Sequence, residues 1–176
     1  MPIPVSAPET RDFTPAPQGL HQAICVDVWD VWREKSKFPN DRGEFPMKAR
    51  TRVVFLLDAQ MADGRPFEIA PYYTASLHEK AKLRKDLESW RGRAFTPDEL
   101  KSFDLEKLIG VNCQIQVVHN KSGEKTYANV AAIVPLSKNQ TKLTIPPGFV
   151  RHKDKVAQAD GPTGEDYPED EDRTPF

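Results

Sequence analysis

The sequence predicts a mainly β domain with a helical insertion, bracketed by an N-terminal arm and a C-terminal tail. Three observations carry that expectation. Several runs rich in β-branched and aromatic residues alternate apolar with polar positions. Two glycine-containing turn signals, Asp63-Gly64 and Ser122-Gly123, each separate a pair of such runs. Between the two hairpins the apolar spacing changes to three and four residues, the period of a helix. With 176 residues, and many of its 16 prolines crowded towards the two ends, the chain suits one domain with extended ends.

The elements follow in order. Residues 1–18 hold five prolines and no periodicity, and read as a disordered, proline-rich arm. His21 to Trp32 contains no breaker and forms a long first strand. Arg33 to Met47 carries Pro39, Asn40, Gly43 and Pro46 and reads as a charged loop with Phe38 and Phe45. Lys48 to Asp58 alternates cleanly as the second strand, and Phe67 to Thr74 is the third, joined to it through Asp63-Gly64. Ser76-Leu77-His78-Glu79 has the form of a capping box opening a helix with Leu83, Leu87 and Trp90 on its apolar face, and Gly92 ends it. Thr96-Pro97-Asp98-Glu99 is a second box, with proline at the first helical position, starting a shorter helix with Leu100 and Phe103. Val111 to Asn120 and Lys125 to Pro135 form the last two strands, and from residue 138 to the end the chain reads as a flexible linker and acidic tail.

Strand, strand, strand, helical segment, strand, strand is the order of the OB-fold, a five-stranded Greek-key barrel that binds oligonucleotides on one face. The expected domain is therefore an OB-fold-like barrel over residues 19–137. A two-residue loop at Ser122-Gly123 pairs Cys113 with Ala132, Ile115 with Val130 and Val117 with Ala128, a wholly apolar face. Tyr127, Asn129, Gln114 and Gln116 then fall on the polar face. In the first hairpin, Val53, Phe55 and Leu57 face the core with Tyr72 and Ala70, which sends Lys48, Arg50, Arg52, Val54 and Tyr73 outwards.

Charge is distributed unevenly. Residues 160–176 hold seven acids against one base, so the remaining 159 residues hold 19 acids against 24 bases and the body is net +5. A basic folded part favours a polyanion such as nucleic acid. Proteins that hold single strands combine a positive groove with rings on which bases stack. The side chains that fit are Arg50, Arg52 and Tyr73 on the middle strands and Tyr127 on the last strand. Two loops add Arg33, Lys35, Lys37 and Phe38, and Lys121 and Lys125. Lys80, Lys82, Arg84, Lys85, Arg91 and Arg93 give the helical segment a solvated basic side.

Catalysis finds no support. Asp58 followed by Glu68-Ile69-Ala70 resembles the acidic pair of a metal-dependent nuclease but has alanine where that motif needs lysine. The four histidines are scattered, and there is no phosphate loop or nucleophile elbow. The two cysteines, Cys25 and Cys113, lie in alternating apolar runs and read as buried thiols, with neither a disulfide framework nor a metal site. No metal or cofactor is expected.

The chain closes on Glu169-Asp170-Glu171-Asp172-Arg173-Thr174-Pro175-Phe176. This end resembles the acidic tails of bacterial and phage single-stranded DNA-binding proteins, which finish in several acids, a hydrophobic residue, proline and phenylalanine. The resemblance implies that Pro175 and Phe176 plug an apolar pocket on a replication or recombination protein while Glu169 to Asp172 steer the approach. Arg173-Thr174 departs from that pattern. It further implies a non-enzymatic protein of a phage or mobile element that coats single-stranded DNA, as monomer or homodimer. The alternatives are a protein-interaction adaptor or inhibitor and, more weakly, a nuclease. No run reaches the length of a membrane helix and no signal peptide is evident, so the expectation is a cytoplasmic protein, in the host cell if phage-encoded, without a membrane partner.

Overall fold

The computed structural model describes residues 14–159. It is mainly β. Strands β1 (Gly19–Lys35), β2 (Met47–Gln60), β3 (Pro66–Ile69), β4 (Tyr72–Thr74), β5 (Asn112–Ser122) and β6 (Lys125–Pro135) form one antiparallel sheet. The helical segment comprises α1 (Lys82–Arg91), α2 (Pro97–Lys101) and a 3₁₀ turn (Leu105–Leu108), and α3 (His152–Ala159) follows the sheet. The ladder runs β3-β2-β1-β5-β6 with β4 also on β2, and it is not closed by hydrogen bonds among the described residues. Its two end strands, β3 and β6, nevertheless come close to each other.

β1 is long enough to serve two neighbours because it bends. It pairs with β5 through Gly19–Ile24 and with β2 from Ala23 to Lys35, with register shifts between Cys25 and Asp27 and between Trp29 and Trp32. Each added residue reverses which face the following side chains take. Ala23, Cys25 and Val28 therefore enter the main core, whereas Ile24, Val26 and Trp29 lie in a second cluster. Fully buried Thr51 helps hold the strand pair by donating from Oγ1 to the Trp29 carbonyl at 2.9 Å.

The main core gathers Val53, Phe55 and Leu57 of β2, Ile115 and Val117 of β5 and Ile133 of β6 under α1. As expected, α1 buries Leu83, Leu87 and Trp90 and stops at Gly92, whose φ of 70° is the left-handed conformation glycine adopts without strain. Trp90 packs on Phe55 with ring centroids 5.4 Å apart and donates from Nε1 to the Asn112 carbonyl at 3.1 Å. The Thr96 cap also forms, its Oγ1 accepting from Glu99 N at 3.3 Å with Pro97 in the first turn. The first box does not. Ser76 Oγ accepts from His78 N in a local turn at 3.1 Å, and α1 begins only at Lys82 after Ala81, which offers no side-chain cap.

Both hairpins differ from expectation in register. The loop after β2 is longer than two residues: Met61 N donates to Arg65 O at 2.7 Å, and Asp63 Oδ1 accepts from Arg65 N at 3.0 Å. Phe55 consequently faces Ile69, and Arg52 faces Tyr72. This is a three-residue shift from the expected pairing of Phe55 with Tyr72. An odd shift exchanges the two faces, and Pro71 divides the expected third strand into β3 and β4. In the other hairpin the turn is Gly123-Glu124, so Ser122 pairs with Lys125 and Val117 with Val130. An even shift preserves the faces until a bulge at Gln116/Val117 brings Ile133 instead of Ala132 into the core.

The chain ends pack more than their composition suggests. Ala16, placed by sequence in the disordered arm, is buried, and its carbonyl lies 2.6 Å from His119 Nε2. Residues 138–159, expected as linker, instead cross the outer side of β1 and β5. Gln114 Nε2 donates to Gln140 Oε1 at 2.9 Å, and Gln22 Nε2 donates to the Thr141 carbonyl at 2.6 Å. Asn112 clamps Leu143 from both sides, accepting its N–H at 2.7 Å and donating to its carbonyl at 3.0 Å. Leu143, Ile145 and Phe149 then cover Ile24, Val26, Val54 and Leu56. The physical reason is that the sheet's outer face is apolar at these four positions and cannot stay wet without cost.

Candidate nucleic-acid interface

The β1–β2 hairpin carries its loop well supplied with cations and rings. Asn40 organises it, its Oδ1 accepting from Arg42 N at 2.9 Å and Glu44 N at 3.0 Å, and buried Ser36 ties back to Phe38. Phe38 is 64% exposed and Phe45 46%. Lys35 Nζ sits 5.7 Å from the Phe45 ring centre. Arg33 and Lys35, expected in this loop, instead close β1 opposite Ala49 and Met47, because the strand runs three residues further than its apolar pattern; both are exposed, as is Lys37 in the loop itself.

On β2, Arg50 and Arg52 are half-buried and already engaged. Arg50 Nε lies 3.1 Å from Glu34 Oε1, and its Nη1 donates to Thr74 Oγ1 at 3.0 Å. Arg52 Nε donates to the Ala70 carbonyl at 2.9 Å, which holds its guanidinium 4.1 Å from the Tyr72 ring centre and 5.2 Å from that of Trp29. Trp32 meets Tyr72 edge-on at 5.7 Å and Trp29 at 6.5 Å. A planar cation held among rings in this way is a ready-made surface for flat, electron-rich partners.

Tyr73, expected to face outwards, is only 3% exposed. Its hydroxyl donates to Asp86 Oδ2 at 2.9 Å, and burial, with the nearby Asp86 carboxylate, pushes the phenol well above its ordinary range. The odd register shift is the cause, and the ring it delivers to the outer face is Tyr72, 49% exposed. Beside it an open groove of 450 Å³ runs between β4 and the start of α1, lined among others by Arg50, Tyr72, His78, Lys80 and Lys82. Lys82 also pairs with Asp86 at 2.6 Å.

The remaining expected residues form a separate group. Lys121 and Lys125 are exposed beside the Gly123-Glu124 turn, and Tyr127 is half-buried opposite Asn120. Because β5 runs antiparallel to β1 with Val117 opposite Gly19, this turn lies past the Gly19 end of β1, whereas the Phe38 loop lies past its Lys35 end. The two groups are thus set at opposite ends of one strand. Glu169, Asp170, Glu171, Asp172, Pro175 and Phe176 lie outside the described residues.

Trp29, Trp32 and Tyr72 are rings of this candidate surface that the sequence reading does not select for binding, Tyr72 being expected in the core. The adjacent pair Tyr72-Tyr73 signals that one ring must face out, but only the register says which. Among the described residues no group of three or more His, Cys, Asp or Glu side chains is placed to hold a metal ion. The Cys25 thiol is pushed up to about 12 by burial, and Cys113 is raised by the same cause. Among the described residues no helix is long and apolar enough to cross a membrane. Neither the known family models nor the curated proteins match this chain.

Proposed function

We propose that the chain binds single-stranded DNA without sequence preference, as a phage or mobile-element protein acting in replication or recombination, and is not an enzyme. The observation that carries this reading is the exposed Tyr72 ring under the Arg52 guanidinium, continued by Arg50 and the lysines of the neighbouring groove. Rings and cations alternating on one side of a sheet offer each base a face and each phosphate a charge. Phe38, Phe45 and Lys35 extend the same chemistry along the β1–β2 loop. An OB-type barrel is supported by the ladder, in which β1 lies between β2 and β5 while the two end strands approach each other. The acidic tail, on this reading, recruits partner enzymes through Pro175 and Phe176.

The deciding experiment is a fluorescence-anisotropy titration of a labelled thirty-base oligonucleotide, single-stranded and duplex, at low and high salt. Tight, salt-sensitive binding of the single strand alone is expected. Removal of residues 160–176 leaves or raises that affinity while abolishing capture of replication partners. Absence of binding to either form overturns the reading. It would favour a protein-recruiting adaptor, for which the exposed Phe38, Phe45 and Met47 are the docking residues.

A further inference from the structure

His152 lies on Trp29 with ring centroids 3.4 Å apart and planes within 12° of parallel, the arrangement of a base stacked on an aromatic side chain. The chain around it is strongly anchored. His152 N donates to Asp27 Oδ2 at 2.6 Å, and Arg151 donates to Asp27 Oδ1 and to both carboxylate oxygens of Glu106 at 2.8 to 2.9 Å. The imidazole itself is not: among the described residues its nitrogens have no hydrogen-bond partner, and the Trp29 stack alone positions the ring. Trp29 is in turn joined through Arg52 to the exposed Tyr72.

Resting on the single-strand reading above, we propose that the Trp29 face under His152 is a stacking site for one unpaired nucleobase, which the imidazole fills until a strand displaces it. An imidazole is a flat aromatic ring slightly smaller than a pyrimidine, so the exchange replaces one stack by another. Rotation of a single side chain uncovers the site, while the Asp27 contacts to Arg151 and the His152 backbone stay in place. A base seated there continues the row formed by Arg52 and Tyr72, which lengthens the stacking platform by one nucleotide.

The test compares full-length wild type, His152→Ala and His152→Phe in the same anisotropy titration with labelled oligo-dT. His152→Ala keeps every backbone contact and removes only the competing ring, so it binds oligo-dT roughly threefold to tenfold more tightly than wild type. His152→Phe retains a ring and binds no more tightly than wild type. Near-ultraviolet cross-linking of a 5-bromouracil oligonucleotide attaches to the Trp29 peptide, with higher yield in His152→Ala. Equal or weaker binding by His152→Ala, or cross-links confined to other peptides, overturns the site while leaving single-strand binding intact. No binding by wild type or either variant overturns both.

Discussion

Arg151 and Asp27 lie 124 positions apart in sequence, yet Arg151 Nε is 2.8 Å from Asp27 Oδ1 and the carboxylate is only 2% exposed. The pair fastens the segment after the last strand to the bulge in the first. Asp27 Oδ1 also accepts from Val28 N at 2.8 Å, so the carboxylate is fully used. Arg151→Ala leaves that buried charge without its cation. A loss of roughly 3 kcal/mol is expected from urea unfolding monitored by circular dichroism, because removing one partner of a buried pair strands the other. A loss near zero would mean that the segment is held by its apolar contacts alone.

Truncations separate the packed segment from the tail. Ending the chain at 159 keeps Leu143, Ile145, Phe149 and Arg151 in place and serves as the reference. Ending it at 137 uncovers Ile24, Val26, Val54 and Leu56 by removing Leu143, Ile145 and Phe149. The shorter protein is expected to bind an apolar dye and to unfold at clearly lower temperature, since each lost apolar side chain contributes on the order of 1 kcal/mol even when partly exposed. Equal melting temperatures for the two truncations would contradict this.

Adjacent tyrosines should behave oppositely. Tyr73→Phe loses the bond to Asp86 inside the core and is expected to cost about 1 to 2 kcal/mol of stability with oligonucleotide affinity unchanged. Tyr72→Ala, on the exposed face, changes stability little and weakens single-strand binding about tenfold. Urea melts and anisotropy titrations on both variants read the contrast, and a reversed pattern would restore the register expected from the sequence.

Acid weakens the same anchor through Glu106. The hydrogen bonds from the Arg151 guanidinium hold this carboxyl below its ordinary value of 4.5. A carboxyl depressed by folding contributes stability that is present above its unfolded value and is lost as pH falls through the lower folded one. Melting temperature between pH 7 and 3 is therefore expected to fall more steeply below about pH 4.5 in wild type than in Glu106→Gln, which cannot titrate there. The difference is small because Glu106 is exposed.

The local signals in the sequence are reliable where a residue acts on its own neighbours. Gly92, Thr96 and the Leu83, Leu87 and Trp90 stripe each specify their piece of helix through bonds and contacts within a few positions. Ser76 misleads because a serine three residues before a glutamate satisfies a tight turn as readily as a helix start. Which tyrosine faces out was not legible, since it depends on how many residues the 61–65 loop absorbs and on Pro71 interrupting the strand. The role of residues 138–152 was equally hidden. Leu143, Ile145 and Phe149 have no helix or strand period among the prolines, and the side chains they cover, Ile24, Val26, Val54 and Leu56, lie more than 80 positions away.

By itself, then, the sequence determined the mainly β character and the order of the strand-forming segments, the position of the helical insertion, the apolar inner face of β5 and the basic body joined to an acidic end, but not the division of the third segment into β3 and β4. These follow from spacing, turn chemistry and charge, all read along the chain. Only the tertiary structure decided that Tyr72 and not Tyr73 meets the solvent, that Trp29 and Arg52 join it, and that His152 returns to lie on Trp29. Those outcomes turn on register and on a long-range carboxylate–guanidinium pair, where a shift of one residue reverses a face and no local pattern records the partner.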